Sequence, residues 1–328
     1  MRAKNHILAI LLLVCGGNLM VRAQLPQDCN FDKVIIAGFD NSRSGDASFS
    51  SGSRFSLARA GVLNNFPATS FTGFPTLTKS NLLPVDVLVI GVATTTTSDV
   101  PPLSTNEQTV MFEFVKNGGT AVLFTDNDTF DPQATNVNAS FLSPFGLATH
   151  GTLNGGVSAF VPAPAQHPIT SGPFGSISSF SEFFPGSITN LGPYALSLAT
   201  NSGGCALAVI EAGSIAPRSG RVVIFSDISG FWNTDGYFPA NSNLFMNVMN
   251  YARQSPQHKR LRIEPVGTNV VLRWPQVATN VVLEFTASVG TNASWNPVSP
   301  SPIVIGGENF VTNAVSGERF YRLRCAGQ

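Results

Sequence analysis

Charge is scarce in this chain: Lys, Arg, Asp and Glu make up 12% of 328 residues, and 19 basic side chains face 19 acidic ones. Nucleic-acid binding needs clustered Lys and Arg, yet residues 24–252 carry 8 basic against 15 acidic side chains, which weighs against nucleic acid as a partner. Cysteine is almost absent too, with 4 in all and no CxxC knuckle of the zinc type. Beyond the N-terminus no segment approaches the about 20 apolar residues of a membrane span. There is no GxSxG elbow, HExxH helix or P-loop, which removes the usual sequence grounds for a serine hydrolase, a zinc protease or a nucleoside triphosphatase.

The N-terminus supplies what the rest lacks. Arg2 and Lys4 precede the apolar run Ile7 to Val14, and Val21-Arg22-Ala23 ends in a small residue, the pattern of a cleavable export signal over residues 1–23. Lipidation would need a small residue before Cys15, where Val14 stands. The mature chain is therefore expected to be secreted, periplasmic or at the cell surface, in keeping with its many Ser, Thr, Asn and Gly residues. Cleavage leaves Cys29, Cys205 and Cys325, an odd number. Cys29 precedes the first strand and Cys205 precedes Ala206 to Ile210, so in a parallel sheet both fall at the amino end, and Cys29–Cys205 is the expected pair.

Lys33 to Phe39, Val85 to Val92, Thr120 to Thr125 and Val222 to Phe225 are short apolar runs without alternation, the pattern of strands buried on both faces. Helical spacing over Ser53 to Asn64 and after the capping box Ser104-Thr105-Asn106-Glu107 separates them, and Gly118-Gly119 ends the second helix. Leu244, Phe245, Val248, Met249 and Ala252 mark a last helix with Asn241 or Ser242 as its expected N-cap. This alternation demands an α/β domain, a doubly wound, flavodoxin-like, mostly parallel sheet, over residues 24–254. Residues 127–200 read as loops and short edge strands. After a linker at 255–258, residues 259–328 read as a small all-β sandwich, with strands at Arg260 to Glu264, Asn269 to Trp274, Val281 to Thr286, Ile303 to Ile305, Phe310 to Thr312 and Arg319 to Arg324. Here 8 basic residues from Arg253 onward face 4 acidic ones, read as solvated faces or domain docking.

In AVLFTD, HPITSG and GRVVIFSD with Asn241, the chain resembles a class I glutamine-amidotransferase-like domain, in its extracytoplasmic, trehalose-utilisation-like branch, over roughly residues 32 to 253. VVLRWP, Trp295 and ERFYRLR look like a fibronectin-type-III-like module. The resemblance implies a Cys on a sharp turn after a strand, with His and an acidic residue downstream. This chain departs from it: Asp126-Asn127-Asp128 follow Thr120 to Thr125, and Cys205 precedes a strand. Cysteine-dependent catalysis is therefore not expected.

An open α/β sheet gathers ligands at the carboxyl ends of its strands. That places Asp40 and Asn41, Thr94 and Thr95, Asp126 and Asp128, and Asp227 with Trp232 and Asn233 on one rim as candidate ligand contacts. Asp40, Asp126 and Asp227 are also candidate catalytic carboxylates, and their convergence would provide oxygen ligands for a divalent cation. The competing reading is that each Asp caps a turn. Glu182, among Phe180, Phe183 and Phe184, is a candidate carboxyl of raised pKa, or an exposed edge residue. His167, followed by Pro168, is a candidate acid–base group or a loop fastener. The rim aromatics either stack on sugar rings or fill the core.

The expectation is an exported, non-catalytic binding or accessory protein for a small polar or carbohydrate ligand, with no cofactor beyond a divalent cation. One alternative is a hydrolase or lyase acting on carbohydrate through rim carboxylates. The other is a structural component of a surface assembly, attached through the C-terminal module.

Overall fold

Strand Val34–Phe39 (β1) lies inside a sheet covered on both faces, so VIIAGF shows no alternation of apolar and polar residues. The computed structural model describes residues 10–14, 19–24, 34–92, 101–130, 132–163, 166–233, 237–254, 261–275, 281–290, 293–305, 308–314 and 317–325. They form two compact units, Val34–Gln257 and His258–Gln328, the latter joined by the N-terminal strands.

The first unit continues with helix Ser56–Asn65 (α1), Thr69–Phe74 (β2), Val87–Gly91 (β3), Thr105–Lys116 (α2), Thr120–Phe124 (β4) and Ala134–Leu142 (α3). Ala148–His150 (β5), Gly156–Phe160 (β6), Ser179–Phe183 (β7), Ser187–Asn190 (β8), Ala195–Asn201 (β9), Gly204–Ile210 (β10), Val222–Phe225 (β11) and helix Tyr237–Arg253 (α4) complete it. Five strands run parallel in the order β2-β1-β3-β4-β11. This is the flavodoxin-like order, and its winding reverses between β1 and β3. Beyond β11 the sheet turns antiparallel through β10, β9, β6 and β7, with β8 on β10 and β5 on β8.

One core fills each face. Val223 and Phe225 of β11 belong with Val62 of α1 and Phe245 and Val248 of α4, whereas Val222 and Ile224 belong with Met111 and Val115 of α2 and Phe141 of α3. Each such burial is worth about 1.5–3 kcal/mol. Helix α2 opens on the expected capping box, Glu107 N–H donating to Ser104 Oγ and Ser104 N–H to Glu107 Oε2.

Three expectations need correction. Ser53–Phe55 is a 3-10 turn that leads into α1. Helix α4 begins at Tyr237, so Asn241 lies inside it and is not its N-cap. Strand β10 is antiparallel to β11, with Leu207 opposite Phe225, so Cys205 enters at the carboxyl end of the parallel strands, level with Asp227. Cys205 carries a free, buried thiol, and the expected Cys29–Cys205 bridge is not formed; Cys29 itself lies outside the described residues.

The second unit contains Arg262–Val266 (β12), Asn269–Pro275 (β13), Val281–Thr286 (β14), Ile303–Ile305 (β15), Glu308–Ala314 (β16) and Phe320–Cys325 (β17). One sheet has the order β12-β13-β16-β15; the other joins an N-terminal hairpin of Ile10–Val14 and Leu19–Gln24 to β17, β14 and Asn296–Pro297. Leu272 and Val311 of the first share one buried cluster with Leu283, Tyr321 and Leu323 of the second, making a small sandwich. Two of the tail's Arg residues are not free surface charges: Arg322 and Arg324 both bond Glu284, at 2.8 and 2.6 Å. The stretch expected to be cleaved on export overlaps the hairpin, and only Gln24 of its strands follows Ala23.

Candidate functional site

At the carboxyl end of β1, beside the point where the winding reverses, Asp40 Oδ1 accepts the N–H and the O–H of Ser42 and caps the short helix Asn41–Ser44. Asn41 Oδ1 accepts the Ser51 hydroxyl at 2.8 Å, and Asn41, Ser42 and Ser51 are exposed. Ser48 and Ser50 turn their hydroxyls to the Phe39 carbonyl. Arg43 stands over the Phe39 ring and pairs with Glu107, whose carboxylate also takes the Leu77 N–H. The result is an open edge of hydroxyl and amide groups above a buried ion pair.

The carboxyl ends of β4 and β11 are closed instead. The segment from Ser181 to Gly186, at the end of β7, is fastened across them by side chains from four elements. Asn241 of α4 accepts the Ser181 N–H (3.0 Å) and donates to the carbonyls of Ser181 (2.8 Å) and Gly230 (2.6 Å). Phe183 N–H donates to Asp227 Oδ2 at 2.6 Å, Asn127 Nδ2 donates to the Phe184 carbonyl at 2.6 Å, and Gly186 N–H donates to the Ser226 carbonyl at 3.1 Å. Glu182 reaches down to accept the Ser226 hydroxyl (2.6 Å) and Asn201 Nδ2 (3.0 Å). The approach is close enough that a Cβ on Gly230 would lie 2.8 Å from the Ser181 carbonyl oxygen. Phe184, at φ +55°, is the one non-glycine residue of positive φ among the described residues, a costly conformation for a bulky side chain.

Beneath this strap lie three buried carboxyls, Asp126, Glu182 and Asp227. Burial, reinforced by the charge of Asp227, raises the pKa of Asp126 well above the carboxylate range. Burial raises Glu182 to about 8 against the opposing bonds from Ser226 and Asn201. It raises Asp227 to about 7, although Phe183, Ser229 and Gly230 N–H groups all donate to it. Asp126 Oδ1 accepts two bonds from Asn127, and among the described residues no donor bonds its Oδ2.

The other candidates lie elsewhere. Ile169 N–H donates to His167 Nδ1 at 3.1 Å, so the ring proton sits on Nε2 and is shared with Glu211 Oε1 at 2.8 Å. Tyr251 O–H donates to Glu211 Oε2. Glu211 follows Ile210, the partner of Val222 at the start of β11, so Glu211, to which His167 is bonded, is roughly 20 Å along the strand direction from Asp227. His167 is a loop fastener at the far end of the sheet. Trp232 is buried beneath the Arg54 guanidinium, 3.9 Å from its ring centre, and the Asn233 N–H donates to the Arg54 carbonyl. Phe180 and Phe231 belong to the core, whereas Phe184 is exposed. Asp128 accepts the Gly151 N–H and stands 3.4 Å from His150. Thr94 and Thr95 lie outside the described residues. Among the described residues no group of three or more His, Cys, Asp or Glu side chains is arranged to hold a metal ion, and Asp40 does not join the other two carboxylates. Cys205 is level with the rim, but its thiol donates to the Leu207 carbonyl and burial raises its pKa, both of which favour the thiol over the nucleophilic thiolate.

Ser226, Asn201, Asn127, Arg43 and Glu107 organise these ends, and neither motif nor spacing marks them as functional. The local signal that could have marked the strap is the Pro185-Gly186 pair directly after the Phe-rich run.

No protein-family model matches the chain, and no curated protein matches its sequence. Among solved structures it is similar in fold to an mmIFT52 N-terminal domain, at 13% identity and TM-score 0.49 over 67% of this chain and 97% of that one. A Bacteroides uniformis protein described as ThuA-like has 13% identity and TM-score 0.42 over 70% and 94% of the two chains. A Thermoplasma acidophilum protein described as a GMP synthase subunit has 10% identity and TM-score 0.44 over 68% and 95%. At such identities the likeness is one of fold.

Proposed function

We propose that this is an exported, non-catalytic binding or accessory protein whose α/β unit takes a small polar or carbohydrate ligand at the open edge beside β1. Its C-terminal unit, with strands resembling a fibronectin-type-III-like module, serves as spacer or surface-docking piece. One observation carries the reading: where the resembled family places its nucleophile, after β4, stands Asp126, buried beneath the strap and bonded to Asn127. Asn41, Ser42 and Ser51, by contrast, present exposed hydroxyl and amide groups suited to sugar hydroxyls.

A thermal-shift screen of the mature protein against oligosaccharides tests it, because a ligand selective for the native state raises the unfolding temperature. The stabilising ligand should be recovered uncut by mass spectrometry after prolonged incubation. Cleavage of that ligand would replace this reading with carbohydrate hydrolysis or lysis. The raised pKa values of Glu182 and Asp126 are the observation in favour of that second reading.

A further inference from the structure

Three carboxyls buried together cannot all ionise, because each charge is desolvated and repelled by the next. Asp227, accepting three backbone N–H bonds, is the one best suited to carry a charge. Asp126 keeps an oxygen that no described donor bonds, where a proton can sit, and Glu182 meets a hydroxyl that can accept from it as readily as donate. The groups facing them from the surrounding elements offer no compensating cation among the described residues. From α3 and α4 come the neutral amides Asn138 and Asn241, from β9 Asn201, and from β10 the Cys205 thiol. Asp128, paired with His150 and Gly151, is the next carboxylate along the β4 loop.

We infer that Ser181–Gly186 is a proton-locked strap over the carboxyl ends of β4 and β11, closed while the carboxyls beneath it share protons and lifted when they ionise. The fastenings support this. Glu182 and Phe183 bind the strap directly to Ser226 and Asp227, and Phe184 sits at the crest in a strained conformation that lifting relieves. The direction of the Glu182 shift agrees: burial raises it, so the closed form is fully favoured below the ordinary carboxylate range and loses that advantage as the pH climbs toward about 8, while Asp227 carries the charge that its three N–H donors support. Lifting would expose Asp126 at the end of β4, a position distinct from the ligand edge beside β1.

Hydrogen exchange of the full-length protein, corrected for the intrinsic pH dependence of each amide, tests the strap. Between about pH 5 and about pH 8, protection of the Phe183 and Gly186 amides should fall by at least about tenfold, the change one titrating carboxyl produces per pH unit. The amides of Val223 and Ile224 should lose no more than the accompanying fall in global stability measured by urea unfolding. In Glu182→Gln with Asp126→Asn the fall should shrink at least about tenfold. Constant protection in the wild-type protein overturns the proposal, whether or not the variant folds. So does an undiminished fall in a folded variant.

Discussion

Asp227 Oδ2 accepts the backbone N–H of Phe183 at 2.6 Å, a bond between the end of a parallel strand and a segment from the antiparallel edge of the same sheet. The same carboxylate accepts the N–H groups of Ser229 and Gly230. It is thus both a cap and a clamp, and it holds closed the part of the rim where chemistry would otherwise be sought.

Asp227→Asn turns an acceptor into an amide donor facing at least one buried N–H. The expected loss of stability is about 1–3 kcal/mol in urea unfolding near pH 6. A loss below that range would show that water already serves these N–H groups.

Glu182, raised to about 8 chiefly by burial, contributes stability that is complete below the ordinary carboxylate range and is lost as the pH rises through about 8. The wild-type protein should therefore weaken from about pH 5 to about pH 8, with at most about 1.4 kcal/mol per pH unit from each such group. Glu182→Gln should flatten that slope by on the order of 1 kcal/mol per pH unit. An unchanged slope would mean that Glu182 holds no proton in this range.

Glu107 behaves in the opposite sense. Burial opposes its charge, but the bonds from Arg43, Ser104 and Leu77 prevail and lower its pKa, so its contribution stands above the ordinary carboxylate range and is lost as the pH falls below it. Arg43→Met removes its cationic partner and leaves the carboxylate only its bonds from Ser104 and Leu77, which should cost about 1.5–3 kcal/mol at neutral pH. Glu107→Gln should make acid unfolding shallower, as measured by circular dichroism from about pH 5 downward.

His167→Ala removes the bonds to Glu211 and to the Ile169 N–H at the far end of the sheet. Calorimetry should show a loss of about 1–2 kcal/mol with no change in any ligand-induced stabilisation. Loss of ligand response in a folded His167→Ala protein would place the site at the wrong end of the sheet.

The strands were legible where burial on both faces left unbroken apolar runs, as in VIIAGF and VVIF, and α2 was legible through its capping box. What escaped depends on partners distant in sequence. β10 has the same apolar texture as a parallel strand, and only its pairing with β11 reveals that Cys205 stands at the rim. Asn241 matches an N-cap by local spacing, but it is consumed by Ser181, 60 residues away. Glu182 could be recognised as a carboxyl among aromatics; that Ser226 and Asn201 would meet it followed from the path of the strap alone. Asp40 and Asp227 bear out the view that a strand-end Asp caps its own turn, and Asp126 does so only in part, through the Asn127 N–H.

The central claim, that ligand binds at the open edge beside β1 and not under the strap, is tested most directly by the unfolding temperature of the mature protein with a stabilising oligosaccharide. Asn41→Ala with Ser51→Ala should abolish the ligand-induced rise, while Glu182→Gln should retain it. A rise kept by the first variant and lost in the second would contradict the account.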